Sequence, residues 1–177
     1  MLGEVLELEN SLSGEASDMS TQALEFVQSL SNDREVVGFI SAGVLDQVLA
    51  AWRSLHSDDG LLRVRLPYKP GRRDRQLAQV LLQKMGQPSF SQAVSTARAW
   101  EMVAGQCLEC GCALVVIENG DLLDGNSLAF VSRQYLPAVI LVGGERLGRR
   151  LDERAGRAAR ILQWGRDRGE QSETVGS

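Results

Sequence analysis

The sequence predicts an α/β fold, a three-layer sandwich around a mostly parallel five-stranded sheet, and three observations carry that expectation. A short apolar run, Glu35 to Ile40, feeds a glycine turn that opens a helix at Val44 and Leu45. Two further runs, Ala113 to Ile117 and Ala138 to Val142, are continuously apolar, as strands buried on both faces must be. Helical periods separate these runs, and alternating strands and helices close most simply into parallel βαβ units. The chain has 177 residues, 44% hydrophobic and 24% charged, which suits one domain with a full core.

Each element follows from its local pattern. Residues 1 to 18 show no apolar face and read as a flexible acidic arm, while Ser20 is placed to N-cap a helix carrying Ala23, Leu24, Phe26, Val27 and Leu30. After the first strand, Val44, Leu45, Val48, Leu49, Trp52 and Leu55 recur at helical spacing, and His56 is expected to cap that helix. Leu61 to Leu66 alternates apolar with basic residues, a strand that Pro67 ends. Asp74 to Met85 forms a helix stopped by Gly86, and Phe90 to Leu108 a longer one. The stretch Gly125 to Gln134 reads as helix between the two buried strands, and Arg160 to Gln163 as a last short strand. The α/β domain thus covers 19–164, and the polar tail 165–177 is expected to be disordered.

Charge is unevenly spread within a net value of −4. Residues 1 to 35 hold Glu4, Glu7, Glu9, Glu15, Asp18, Glu25, Asp33 and Glu35 against Arg34. Basic residues gather in two groups, Arg63, Arg65, Lys69, Arg72, Arg73, Arg75 and Lys84, and then Arg146, Arg149, Arg150, Arg154, Arg157, Arg160, Arg166 and Arg168. Such surpluses can engage phosphates, although a solvated helix face is their commoner meaning. No apolar run is long enough to span a membrane, and the acidic amino terminus is unlike a signal peptide, so a cytoplasmic protein is expected. Cys107, Cys110 and Cys112 have neither the number of a disulfide framework nor the spacing of a zinc site; core packing is the reading for them, with no metal expected.

The candidate chemistry lies in two altered motifs. Gly38-Phe39-Ile40-Ser41-Ala42-Gly43-Val44-Leu45 keeps both glycines of G-x-x-x-x-G-K-[ST], the phosphate-cradling loop of P-loop NTPases. Val44 and Leu45 replace the Lys that reaches the β- and γ-phosphates and the hydroxyl that holds Mg²⁺. In the second motif, the strand Val115-Val116-Ile117 delivers Glu118 and Asn119 to the sheet's carboxyl edge, where an acidic pair would organise metal and activate water. An amide cannot take a proton, so Asn119 cannot serve as a general base; Asp121 and Asp124 are the nearby carboxylates that could stand in. Gly38, Ser41, Gly43, Val44, Leu45, Glu118 and Asn119 therefore read as a vestigial nucleotide site with no catalytic residue.

In its order of segments the chain resembles the TniB family of transposition-associated AAA+ ATPases, relatives of TnsC and MuB, from about Ala23 to Trp164. The resemblance rests on the glycine turn, Leu62-Arg63-Val64-Arg65-Leu66-Pro67, Arg75-Gln76-Leu77-Ala78, Leu81 to Gly86, the end of the Val115 strand, Leu136 to Gly143, and Arg157 to Trp164. It implies ATP-dependent oligomerisation on DNA, a sensor residue after the fourth strand, and an arginine near Arg154 or Arg157. Gly144 stands where the sensor's hydroxyl or amide is expected, and the resemblance stops near Trp164, so the helical lid of AAA+ proteins is expected to be absent. The expectation is a pseudo-ATPase adaptor that binds a protein partner, with DNA a further candidate through Arg63, Arg65, Arg72, Arg73, Arg75, Arg149, Arg150, Arg154 and Arg157. The alternative is a divergent switch that uses ATP and Mg²⁺, with Glu118 on the metal and an arginine supplied by another subunit. A third reading is homo-oligomerisation through the acidic arm and the basic surface.

Overall fold

The computed structural model describes residues 3–32, 36–58, 60–131, 135–154 and 160–164, with the backbone alone for 3–17, 36, 154 and 160–164. In chain order the elements are α1 (Gly3–Asn32), β1 (Val36–Ile40), a 3₁₀ turn (Ala42–Val44), α2 (Leu45–Leu55), β2 (Leu61–Arg65), α3 (Arg73–Lys84) and α4 (Thr96–Glu109). They continue with β3 (Leu114–Glu118), a second 3₁₀ turn (Gly120–Leu122), α5 (Gly125–Val131), β4 (Ala138–Val142), α6 (Glu145–Arg154) and β5 (Arg160–Trp164). Every strand pairing is parallel, in the order β2-β3-β4-β1-β5. Side chains are described for the four strands β2, β3, β4 and β1; β5 joins through its backbone, with Ile40 opposite Trp164.

Strand alternation divides the core into two layers. Val37, Phe39, Val64, Leu66, Val115, Ile117, Val139 and Leu141 face α3, α4, α5 and α6, where Trp100, Leu77, Leu81 and Leu147 are fully enclosed. Ile40, Leu114, Val116, Ile140 and Val142 face α1 and α2, against Phe26, Val27, Leu30, Val48, Leu49 and Trp52. β3 is therefore buried on both faces, which is why its sequence shows no polar alternation. β2 is half-covered: Val64 is buried, whereas Arg63 and Arg65 stand exposed on the α1/α2 side.

Several boundaries differ from the sequence expectations. α1 runs unbroken from Gly3 through the stretch expected to be an arm, so Ser20 lies inside a helix and not at its N-cap. The stretch contains no proline and is rich in Glu and Leu, and helix propensity does not require an apolar face. α4 starts only at Thr96, because Ser95 Oγ accepts the Arg98 N–H at 3.2 Å and fixes the N-cap there. α6 carries an element the sequence left unassigned. Gly86, at φ +82°, ends α3 as expected. The tail 165–177 and Arg157 lie outside the described residues.

Candidate functional site

Ile40, Glu118 and Val142 end their strands at the same edge of a parallel sheet, where α/β proteins bind ligands. The glycine turn reaches that edge in an unexpected form. Gly38 is not part of the turn but sits inside β1, where an added Cβ would lie 2.8 Å from Phe26 Cζ and 3.3 Å from Ile140 Cγ1. Its missing side chain lets α1 approach the sheet. Ser41 precedes the 3₁₀ turn without a side-chain capping bond, and its carbonyl accepts the Val44 N–H at 3.3 Å. Gly43 has no positive φ, and a Cβ there would meet nothing within 4 Å. Val44 and Leu45 are 9% and 5% exposed and belong to the α1/α2 core. The segment is a compact helical entry, with its apolar pair pointing inward where a phosphate site needs a cation and a hydroxyl pointing outward.

The end of β3 is equally committed to structure. Glu118 takes Arg63 Nε at 2.5 Å on one carboxylate oxygen and Arg65 Nη2 at 2.9 Å on the other. The Arg63 hydrogen bond is the main reason its carboxyl is held below the usual glutamate range, with Arg65 helping against partial burial. The same bond raises the Arg63 guanidinium. Asn119, the described non-glycine residue with left-handed backbone (φ 59°), donates from Nδ2 to the Leu66 carbonyl at 2.8 Å. It ties the exit of β2 to the exit of β3.

The two acids offered as substitutes are spoken for as well. Asp121 accepts Gly144 N–H at 2.7 Å and Leu147 N–H at 2.8 Å, capping α6 from a segment more than twenty residues away. Gly144, at the place of the expected sensor, thus contributes a backbone donor to this cap. Asp124 accepts the backbone and hydroxyl of Ser127 at 2.9 and 2.7 Å at the start of α5. Burial works against its charge, but these bonds outweigh it and hold Asp124 below the usual aspartate range. Fully buried Leu147 closes the edge: an added Cβ would meet its Cδ2 at 2.5 Å from Gly120 and 2.7 Å from Gly143. The carboxylates nearest the turn, Glu118, Asp121 and Asp124, are thus already paired within the protein, and Val44 and Leu45, at the places of the Lys and the hydroxyl, face the core.

The arginines divide into braces and exposed heads. Arg73 donates to the Pro67 carbonyl at 3.1 Å and to Gln76. Arg75 reaches the carbonyls of Val94 and Ser91 and lies 4.8 Å above the Phe90 ring. Arg150 bonds the carbonyls of Asp121 and Leu123. Arg65, Arg72 and Arg149 remain 68%, 68% and 67% exposed despite pairing with Glu118, Asp74 and Glu145, and Arg63 is 43% exposed. The side chain of Arg154 is not described.

At the opposite, amino edge of the sheet lies a cavity of about 520 Å³ that sequence reading did not anticipate. His56 ends α2 there; its N–H donates to the Trp52 carbonyl, its ring stacks on Trp52 at 4.1 Å, and its Nε2 lies 3.1 Å from Ser31 Oγ. Cys107 and Cys112 line the same cavity, with Cys107 Sγ 3.8 Å from Met85 Sδ and Cys112 Sγ 3.7 Å from the Leu114 carbonyl, and the interaction of the two neighbouring thiols pushes Cys107 up and Cys112 down. Among the described residues no His, Cys, Asp and Glu group of three could hold a metal ion, and no helix is long and apolar enough to cross a membrane.

The parallel sheet in the order β2-β3-β4-β1-β5, with helices on both faces, makes this an α/β protein with a P-loop NTPase-like fold. No protein-family model matches the sequence, and no curated protein matches it. Solved structures do. A chain of Drosophila ORC bound to GC-rich DNA and Cdc6 superposes with a TM-score of 0.59 at 12% identity, over 90% of this chain and 59% of that one. ORC bound to AT-rich DNA and Cdc6 gives 0.61 at 11% identity, over 90% and 58%. The Aeropyrum pernix ORC2 protein in ADPNP-ADP complexes gives 0.50 at 11%, over 86% and 47%. The likeness is one of fold, to AAA+ ORC structures, and this chain spans less than two thirds of those three chains.

Proposed function

We propose that this chain is a cytoplasmic AAA+-like adaptor that has lost nucleotide chemistry and works by binding a partner protein and DNA, in the transposition-type setting that its resemblance to TniB implies. One observation carries the reading: Val44 and Leu45, at the positions of the phosphate-binding Lys and hydroxyl, are built into the core beneath α1 and α2. The exposed heads of Arg65, Arg72 and Arg149 supply phosphate-binding capacity, and the ORC neighbours bound to DNA and Cdc6 support a DNA- and partner-binding use of this fold.

Calorimetry with ATP and with ADP in Mg²⁺ tests the first half. The expected result is no heat at protein concentrations able to detect a dissociation constant near ~1 mM, about 4 kcal/mol of binding. Clear Mg²⁺-dependent binding would instead favour the divergent switch. For DNA, affinity for a 20-bp duplex should fall steeply with salt, and Arg72→Ala with Arg149→Ala should flatten the log–log slope by about one for each phosphate left without its arginine. Absence of binding at low salt would remove DNA from the proposal.

A further inference from the structure

We propose that the open edge of β2 is a strand-addition site for an extended acidic segment of a partner protein. The inference rests on the adaptor reading and names the surface that reading would use. β2 ends the sheet and pairs with β3 alone. Along a strand, the N–H and C=O of each residue point to one side and alternate from residue to residue. The Gly60 carbonyl accepts Ala113 and Leu114 N–H at 2.7 and 3.0 Å, and Leu66 N–H donates to the Glu118 carbonyl at 3.1 Å. The even positions of β2 therefore face β3, and Arg63 and Arg65 present their main-chain groups outward. Leu61 N–H is turned back to the Asp58 carbonyl, and among the described residues no turn, loop or side-chain hydrogen bond reaches the main chain of Arg63 or Arg65. An edge with two open rungs is a template for another strand.

A groove of about 540 Å³ runs beside these rungs, lined by Arg63, Arg65 and Glu118 and by Val80, Gln83 and Lys84 of α3. Its walls select an alternating sequence. One face of an added strand would turn toward α3 and Val80, the other toward the guanidinium groups of Arg63 and Arg65. Glu118, 13% exposed, and Asp46, whose charge also reaches Arg63, answer two of the three positive charges of Arg63, Arg65 and Lys84, so the groove stays positive and favours acidic side chains at alternate positions. A second copy pairing β2 against β2 would set these arginines against themselves, and like charges across strands are destabilising. The occupant is thus an acidic partner strand.

The probe is acetyl-Val-Glu-Val-Glu-Val-Glu-Val-amide titrated into ¹⁵N-labelled full-length chain. Saturable binding is expected, with the largest amide shifts at Arg63 and Arg65. N-methylation of alternate peptide amides, or Lys in place of Glu, should weaken it about tenfold or more. Arg63→Glu with Arg65→Glu should do the same; if that variant does not fold, the altered peptides decide the question on the unmodified protein. No saturable shift at ~1 mM peptide, or binding indifferent to N-methylation, overturns the site. Peptide shifts confined elsewhere overturn the edge but leave the adaptor reading, whereas Mg²⁺-ATP heat overturns the adaptor reading and leaves the edge result standing. Self-association that protects the Arg63 and Arg65 amides overturns the choice of occupant.

Discussion

Gly38 and Gly43 carry the same motif signature and do opposite things. An added methyl at Gly38 meets the Phe26 ring at 2.8 Å inside a packed layer, whereas Gly43 has open space and ordinary backbone angles. Gly38→Ala is therefore expected to cost about 1–3 kcal/mol, partly recovered by adding Phe26→Leu. Gly43→Ala should be neutral or stabilise by about 0.4–1 kcal/mol, because a freer unfolded chain is restrained at no native cost. Urea denaturation of the two variants separates them, and equal losses would refute the core role of Gly38. Glu118 yields a pH-dependent counterpart. Its folded pKa lies below the usual 4.5, so its pairing contributes fully above that value and fades as pH falls through the folded pKa. Glu118→Gln should lose on the order of 1 kcal/mol at pH 7, since Arg63 and Arg65 are solvent-exposed, and the gap should close below about pH 4.5. A gap unchanged down to pH 3 would mean that the carboxylate charge is not what the arginines hold.

At the scale of elements, distant capping explains why α6 escaped the sequence. A helix start is read from Ser, Thr, Asp or Asn just before it, and Gly143-Gly144 precede α6 without one. The cap comes instead from Asp121, through bonds of 2.7 and 2.8 Å to Gly144 and Leu147. Those bonds place a negative charge at the helix's positive end and satisfy two amides that have no partner in the helix. Asp121→Ala should cost about 1–2 kcal/mol. Amide exchange in α6 should rise more than in α3 or α4, because the loss is local to that terminus. Uniform acceleration across all three helices would show that Asp121 acts on global stability only. α4 shows the contrary case, where Ser95 caps locally but competes with the helical spacing of Phe90, Ala93 and Val94, which invites an earlier start.

For the whole molecule, what was legible is what local pattern encodes. β3 and β4 announced themselves as doubly buried strands, the parallel sheet followed from their alternation with helices, and the missing Lys and hydroxyl at Val44 and Leu45 were visible as letters. Three-dimensional commitments were not legible: that Gly38 makes room for Phe26, that Glu118 is clasped by β2, that Asn119 braces Leu66, and that Leu147 closes the edge. Each joins residues far apart in sequence, so no spacing rule reports it. These same commitments imply that restoring the motif will not restore the site. Val44→Lys with Leu45→Ser would recreate G-x-x-x-x-G-K-S, yet both positions pack under α1 and α2 at 9% and 5% exposure. Placing an ammonium and a hydroxyl there without partners, and removing two apolar side chains, should cost about 3 kcal/mol or more. The variant is expected to melt well below the parent and to give no heat with Mg²⁺-ATP. A stably folded variant that bound ATP would show instead that the edge can open, that Leu147 and Phe26 yield to a ligand, and that a nucleotide pocket is only two side chains away.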